Sequence, residues 1–206
     1  MSGLAELLAP TSCAGCELPH ASPGVAFCGA CLPLLESAPV ALLPPQTSAA
    51  AFLFQGPLAD AIRRFKYAGR TELGPGLGRL LGEACSPFAG TIDRVVPIPL
   101  HPDKLRARGY NAAALLAREV AARLGAPLDC SLLRRVRATH VQAALPRSAR
   151  ASNVRRAFSV RPSVSKARVL LVDDVRTTGS TLSEAALALT EAGHTVTSLA
   201  LAWAPA

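Results

Sequence analysis

One stretch near the end of this chain constrains its fold more than any other, because it joins a buried strand to a polar turn and then to a helix. Val169–Val172 is an uninterrupted apolar run within a strand that we predict over residues 167–172. Two acids, Asp173 and Asp174, follow at once, and a helix is predicted over residues 180–192. A strand without polar alternation is typical of the middle of a parallel sheet, which is covered on both faces. The stretch therefore predicts an α/β fold whose polar turn lies at the carboxyl edge of the sheet, where such folds bind ligands.

The hydrophobic pattern of the rest of the chain agrees with that fold. The predicted strands cover residues 49–54, 94–100 and 194–203, and the predicted helices cover residues 57–67, 73–85 and 111–124. Strands that alternate with helices in this way indicate a parallel sheet flanked by helices. Residues 37–48 include a proline-rich connector, so we divide the chain into an N-terminal segment, residues 1–48, and a main domain, residues 49–206. Residues 139–153 are polar and basic, and there we expect a mobile loop.

The polar turn combines two kinds of group that together suit a ribose 5-phosphate. Asp173 and Asp174 can accept hydrogen bonds from a vicinal diol, and they can lie near a Mg²⁺ ion that a substrate carries. Hydroxyls and N–H groups at the start of a helix bind phosphate, and Gly179 lets the backbone approach it. A simple capped turn is the alternative, since Ser and Thr often cap helices. We favour a ligand, because two acids directly after a buried strand are unfavourable without a partner.

Two cysteine pairs near the N-terminus predict a metal site. Cys13 and Cys16 form the first pair, and Cys28 and Cys31 form the second, with 11 residues between the pairs. Two thiolates from each tight turn can coordinate one zinc ion. A small segment with few buried apolar residues needs such a cross-link for stability. Disulfides and idle thiols are the alternatives, and iron is a lesser one. We favour zinc because the spacing is regular and because a reducing compartment disfavours disulfides.

The charge of the chain is unevenly distributed. The net charge is +8, yet residues 1–62 contain four acids and no Lys or Arg. Residues 130–172 contain ten basic residues and no acid, namely Arg134, Arg135, Arg137, Arg147, Arg150, Arg155, Arg156, Arg161, Lys166 and Arg168. Such a basic block attracts polyanions, either a phosphorylated ligand or nucleic acid. A solvated basic surface without a ligand is the alternative.

The sequence carries no sign of export or of membrane insertion. No apolar run approaches the length of a membrane-spanning helix. The first residues lack the basic region of a secretory signal. We therefore expect a cytoplasmic protein that does not insert into a membrane.

A resemblance to type I phosphoribosyltransferases is carried by residues 172–181, which read Val-Asp-Asp-Val-Arg-Thr-Thr-Gly-Ser-Thr. This run is similar to the signature with which that family binds 5-phosphoribosyl pyrophosphate (PRPP). The resemblance implies that the two acids bind the ribose, that the turn binds the 5-phosphate, and that Mg²⁺ accompanies PRPP. The PRPP-binding residues it implies are Asp173, Asp174, Arg176, Thr177, Thr178, Gly179, Ser180 and Thr181. It also implies a type I phosphoribosyltransferase-like fold.

The resemblance further implies a second loop, which holds pyrophosphate after an earlier strand. Residues 96–101 lie at the right place, and three cations follow them within a few positions. Cations this close together can neutralise a diphosphate leaving group. The residues predicted for the pyrophosphate side are Lys66, Pro97, Lys104, Arg106, Arg108 and Asn111. The alternatives are an ordinary basic turn for the three cations and, for Lys66, a surface lysine that closes a helix.

Several motifs together are similar to the ComF family, and the similarity covers almost the whole chain. They read Lys-Tyr-Ala-Gly at residues 66–69, Val-Pro-Ile-Pro-Leu-His at 96–101, Arg-Ala-Arg-Gly-Tyr-Asn at 106–111 and Thr-His-Val-Gln at 139–142. The similarity implies a bacterial, phosphoribosyltransferase-like protein linked to DNA uptake in natural transformation, with a zinc-ribbon-like N-terminal segment. Single-stranded DNA and the competence helicase are the partners it implies. The residues implied for a lid or for DNA contacts are Gln142, Arg147, Arg150 and Arg155.

Two positions depart from the ComF pattern. Ala112 stands where the family usually has Gln, and Arg176 stands where an aromatic or small residue is common. The first departure concerns the pyrophosphate side, and the second lies within the PRPP signature. Neither removes the groups that bind phosphate.

Two functions lead the hypotheses that these residues support. The first is a protein of DNA uptake that contains a PRPP site and contacts nucleic-acid phosphates through its arginines. The second is nucleobase salvage, in which ribose 5-phosphate is transferred to an acceptor and pyrophosphate leaves. We rank DNA uptake first on the family resemblance. Aromatic residues make up 4% of the chain, which counts against a surface that binds single strands by stacking.

Overall fold

The structure is a computed structural model that describes residues 11–20, 24–38, 48–137, 157–162 and 165–205. Its strands are β1 (Thr11–Ser12), β2 (Pro19–His20), β3 (Ser48–Leu53), β4 (Arg94–Pro97), β5 (Leu133–Arg135), β6 (Phe158–Val160), β7 (Arg168–Arg176) and β8 (Thr195–Trp203). Its α-helices are α1 (Gly56–Tyr67), α2 (Leu73–Ala84), α3 (Pro102–Arg108), α4 (Ala112–Leu124) and α5 (Ser180–Glu191). Within these ranges, no helix is long and apolar enough to cross a membrane. The loop predicted over residues 139–153, and with it Gln142, Arg147, Arg150 and Arg155, lies outside the described residues.

A four-stranded sheet in the order β3-β8-β7-β4 forms the centre of the main domain. Val172 of β7 lies opposite Pro97 of β4 on one side and opposite Leu199 of β8 on the other. Each neighbouring pair in this sheet is parallel, so the four carboxyl ends meet at one edge. The prediction of a parallel sheet flanked by helices is confirmed.

The apolar run of β7 is buried on both faces of the sheet. Leu170 and Val172 belong to a core shared with α1, α2 and α4. Val169 and Leu171 belong to a second core, shared with α5 and the ribbon of β5 and β6. Successive side chains of a strand point to opposite faces, and a slip of one residue would exchange the two sets. Double burial therefore fixes where β7 ends and which face each following residue takes.

Strand β7 extends beyond the predicted residues 167–172 and ends at Arg176. Its pairing with β8 continues through Asp173 opposite Ala200 to Arg176 opposite Trp203. Aspartate is unfavourable in strands on average, but the partner strand and the surrounding packing decide its conformation here. The two acids are consequently part of the strand, and the free turn begins only at Thr177.

Two elements appear that the apolar pattern does not predict. Helix α3 has seven residues, none of which is buried, so it has no hydrophobic period. It begins after His101, whose Nδ1 accepts a hydrogen bond from the Asp103 N–H at 3.3 Å, and it ends at Gly109 with a φ of 82°. The antiparallel ribbon of β5 and β6 pairs Arg134 with Ser159. Each of its strands has three residues, too few to show an alternation.

The N-terminal segment packs directly on the main domain. Cys13, Phe27 and Cys31 are buried in the same core as α1 and α2. A Cβ atom on Gly15 would lie 2.7 Å from Cβ of Pro57 at the start of α1, so a larger residue at position 15 would not fit. The division of the chain at residue 48 stays a prediction about its organisation, and the packing shows that the two parts share a core.

Candidate functional site

The acid pair at the end of β7 is the centre of the site. Asp174 is buried, and it lies on the face that carries α1. Lys66, in the last turn of α1, brings its Nζ to 2.6 Å from Oδ1 of Asp174. A charge-assisted hydrogen bond of this length is among the stronger polar contacts in proteins. The side chains of Lys66 and Asp174 are only 18% and 10% exposed, so each charge depends on the other.

Asp173 follows the pleat to the opposite face and meets a different environment. Its Oδ1 accepts a hydrogen bond from the Asp174 N–H at 2.9 Å. Burial and the neighbouring Asp174 carboxylate raise the pKa of Asp173 to about 8, although Lys66 and Arg135 act in the opposite direction. Ligand hydroxyls and cations stabilise a carboxylate. An acid whose pKa is raised towards neutral pH in this way is typical of a binding site.

The turn from residue 177 to residue 179 connects the acid pair to α5. Gly179 is the N-cap of α5 and has a φ of 79°, a conformation that glycine adopts easily. Oγ1 of Thr178 lies 3.1 Å from Oγ of Ser180, and it accepts a hydrogen bond from the Ser180 N–H at 3.4 Å. The Ser180 N–H is thus engaged within the turn, and Gly179 adds no side chain at the start of α5.

Arg176 lies against this turn. A Cβ atom on Gly179 would approach Nε of Arg176 to 3.1 Å, so both the positive φ and the arginine favour glycine there. The guanidinium group also donates to the Ser48 carbonyl oxygen at 3.5 Å. Arg176 is therefore close to the backbone of the predicted phosphate turn. The PRPP contacts of Arg176, Thr177 and Thr181 stay predictions.

The loop after β4 approaches the same edge of the sheet. The Ile98 N–H donates to the Val172 carbonyl at 2.8 Å, which continues the pairing beyond Pro97. Asn111 donates from Nδ2 to the Ile98 carbonyl at 3.0 Å, and its Oδ1 accepts from the Ala113 N–H at 3.2 Å. Asn111 thus joins the end of β4 to the start of α4, and both of its polar atoms are used within the protein.

The cations of α3 have different environments. Burial, followed by the charges of Arg135 and Arg108, lowers the pKa of Lys104. Arg106 instead pairs with Asp103 at the surface, where its side chain is 77% exposed. Like charges gathered around Lys104 favour an anion. The structure therefore brings Lys104 and Arg108 towards a common cationic region, and it places Arg106 in a surface ion pair.

Arg135 joins this region from β5, and sequence reasoning did not single it out. Its guanidinium lies 5.4 Å from the centre of the Phe158 ring, and burial lowers its pKa while the charge of Asp173 opposes that shift. In the sequence, Arg135 is one of ten basic residues in the basic block, and no local pattern sets it apart from the other nine.

The two cysteine pairs converge as their spacing predicts. The four Sγ atoms of Cys13, Cys16, Cys28 and Cys31 lie within 4.8 Å of one another, and all four thiols are free. Those of Cys16 and Cys28 are 3.8 Å apart. Four sulfurs about 2.3 Å from one zinc ion are roughly 3.8 Å from each other in a tetrahedron. The donor set and its dimensions therefore fit a metal ion such as zinc.

The thiols of this cluster do not ionise alike. Against the effect of burial, backbone N–H groups from Cys28, Cys16 and Gly15 lower the pKa of Cys13 to about 6. Burial and the neighbouring thiols raise the pKa of Cys31 to about 12. A shared cation would favour the thiolate form of all four cysteines and offset their mutual repulsion.

Comparisons with known proteins show what this chain is similar to. A family model described as the phosphoribosyl transferase domain matches residues 111–206. The DNA utilization protein YhgH of Salmonella typhimurium is 33% identical over 186 residues, which cover 88% of this chain and 78% of that protein. Competence protein F of Haemophilus influenzae is 35% identical over 145 residues, which cover 66% of this chain and 63% of that protein. A solved adenine phosphoribosyltransferase from Trypanosoma brucei covers 79% of this chain and 74% of its own, at 15% identity and a TM-score of 0.44.

Removal of one ligand thiol tests the metal site. We expect one zinc ion per chain in the wild type, and we expect Cys28→Ser to lose it because three thiolates bind zinc less tightly than four. Loss of a structural metal should lower the free energy of unfolding by about 4 kcal/mol or more. Elemental analysis and chemical unfolding measure both quantities. Cys130→Ser is the matched control, since Cys130 is exposed and lies outside the cluster. A wild type without zinc, or a Cys28→Ser variant that keeps it, would contradict the assignment.

Proposed function

Because this chain belongs to the ComF family, which includes DNA utilization protein YhgH and competence protein F, we propose that it binds PRPP with Mg²⁺ and acts in DNA uptake. The proposal has two parts, a phosphoribosyl site at the carboxyl edge of the sheet and a basic surface for single-stranded DNA. The match of residues 111–206 to the phosphoribosyl transferase domain supports the first part. The names of the relatives support the second.

The observation that carries the proposal is the 2.6 Å contact between Lys66 and Asp174. The two residues are 108 positions apart, and the fold brings the cation to the acid pair, next to the turn for which we propose a phosphate. A buried ion pair is seldom retained for stability alone, because two charges lose their hydration. Lys66 and the acid pair together present a cation for phosphate and acceptors for a diol, side by side.

Each group then has a role in ligand binding. Asp173 and Asp174 accept hydrogen bonds from the ribose hydroxyls, with Mg²⁺ nearby on the ligand. The turn of residues 177–181 holds the 5-phosphate with hydroxyls and N–H groups. Lys66, Lys104 and Arg108 neutralise the pyrophosphate, for which Arg106 and Asn111 are the more peripheral candidates. If an acceptor attacks, these charges also stabilise the departing pyrophosphate.

The basic block supplies the proposed nucleic-acid surface. Arg134 lies within β5 and Arg137 lies just after it, both at exposed positions on the side of the sheet that carries Asp173. Arginines contact backbone phosphates well. Gln142, Arg147, Arg150 and Arg155 belong to the same block and remain proposed lid or DNA contacts. The six free cysteine thiols suit the cytoplasm, where we expect single-stranded DNA and a competence helicase to be the partners.

Calorimetric titration of PRPP and Mg²⁺ into zinc-loaded protein tests the first part. We expect saturable binding that Asp173→Asn/Asp174→Asn weakens by roughly 100-fold or more, because two charge-assisted contacts are lost. Asp60→Asn, a change in an exposed acid paired with Arg63, serves as the control and should bind like the wild type. Absence of binding by the intact protein would refute the PRPP site. Release of pyrophosphate that depends on an added nucleobase would favour salvage instead.

The salt dependence of DNA binding tests the second part. We expect affinity for a single-stranded oligonucleotide to fall steeply with salt, and we expect Arg134→Gln/Arg137→Gln to reduce the slope of log K against log salt by about 0.7 per lost contact. Fluorescence anisotropy at several salt concentrations measures it. Arg63→Gln, on α1, is the control. A flat salt dependence, or a slope that the double variant leaves unchanged, would exclude this surface.

A further inference from the structure

Three consecutive residues in the last turn of α1 contact three different parts of the protein. Arg64 contacts the N-terminal cysteine segment, Phe65 contacts the start of α4, and Lys66 contacts the acid pair. Phe65 is fully buried, and its carbonyl oxygen accepts a hydrogen bond from the Tyr110 hydroxyl. This turn therefore lies between the cysteine cluster and the acid pair.

Arg64 holds the backbone between the first two cysteines. Its guanidinium donates to the Ala14 carbonyl at 2.8 Å and to the Gly15 carbonyl at 2.6 Å. Its Nε lies 3.3 Å from Oε2 of Glu17, directly after Cys16. The Arg64 side chain is 27% exposed, so these are partly buried contacts to the turn that presents two of the four thiols. The conformation of that turn determines whether both carbonyl oxygens face Arg64.

The turn is part of the cysteine cluster. The Ala14 and Gly15 carbonyls lie between Cys13 and Cys16, and the four sulfurs come within 4.8 Å of one another. A shared ion fixes this geometry, because binding of a structural metal and folding of its loop are one process. Without the ion, no bond holds the four sulfurs together, so the turn is free to open and to withdraw the two acceptors from Arg64.

The helix transmits the change to Lys66. Arg64 and Lys66 are two residues apart on one α-helix, and a rigid element with two arrangements can link distant sites. Lys66 extends from the last turn of α1 to Asp174. A displacement of that turn would separate the cation from the acid pair and expose Asp174 without its partner.

We propose that Arg64 is a positioning residue that couples metal binding at the cysteine cluster to ligand binding at the acid pair, through the placement of Lys66. The coupling rests on the proposed PRPP function for its ligand. It is reciprocal, so PRPP must increase zinc affinity by the same factor by which zinc increases PRPP affinity. The N-terminal segment is then a part of the ligand site rather than an appendage.

Affinities measured in both directions test the proposal. In the wild type we expect zinc removal to weaken PRPP and Mg²⁺ binding roughly 5- to 150-fold. Zinc-loaded Arg64→Gln should show the weaker affinity already, with no further loss on zinc removal. Competition with a chromophoric chelator measures zinc affinity, which PRPP should raise in the wild type and leave unchanged in Arg64→Gln. Arg63→Gln, altered at the adjacent arginine that pairs only with Asp60 among the described ion pairs, should retain the full coupling.

Hydrogen exchange separates failure of this proposal from failure of the PRPP assignment. Zinc removal should speed exchange in peptides that cover residues 63–68 and 172–177, whether or not PRPP binds. If the zinc-free protein unfolds, the comparison is made between the two zinc-loaded variants. Arg64→Gln should then exchange faster than Arg63→Gln in both peptides. A zinc effect confined to residues 11–38, or equal exchange and equal PRPP affinity in the two zinc-loaded variants, would overturn the coupling. A zinc-loaded wild type that binds no PRPP but shows the exchange change would overturn only the PRPP assignment.

Discussion

Burial of β7 on both faces imposes the constraint on which the site depends. Leu170 and Val172 fill one core while Val169 and Leu171 fill the other, so the strand cannot shift by one residue without exposing apolar side chains. The next two residues are acids, and the pleat sends them to opposite faces. Asp174 meets Lys66 from α1, whereas Asp173 faces the side that carries Arg135. Packing energy thus holds two carboxyl groups where their charges are unfavourable without a partner.

The parts of this arrangement that are local in sequence could be predicted, and the long-range parts could not. The apolar run, the acid pair and the Thr-Thr-Gly turn lie within 13 residues, and regular spacing identified the four cysteines. Lys66 was predicted as a phosphate contact, but its pairing with Asp174 spans 108 residues and leaves no local pattern. Arg135 was hidden among ten similar cations. Helix α3 has no buried residue and therefore no hydrophobic period.

The same reasoning explains why α1 has a larger role than its amphipathic pattern indicates. Its apolar face, with Leu58, Ile62 and Phe65, was predictable and serves the core. Its polar residues in the last turn contact the cysteine segment on one side and the acid pair on the other. Local propensity specifies only that a helix forms, and tertiary contacts decide what its polar side chains do. A single helical turn thereby connects the cysteine cluster to the acid pair.

The titration of Asp173 tests the central claim most directly. The ¹³Cγ resonance of Asp173, assigned by its loss in Asp173→Asn, can be followed by NMR as the pH rises through neutrality. The account predicts a midpoint near 8 in the free protein, because burial and Asp174 disfavour its charge. Ribose 5-phosphate with Mg²⁺ should move the midpoint downwards, since hydroxyl donors and a cation favour the carboxylate, and binding at pH 7 should release a proton. A midpoint near the ordinary value of 3.8, or one that the ligand leaves unchanged, would contradict the account.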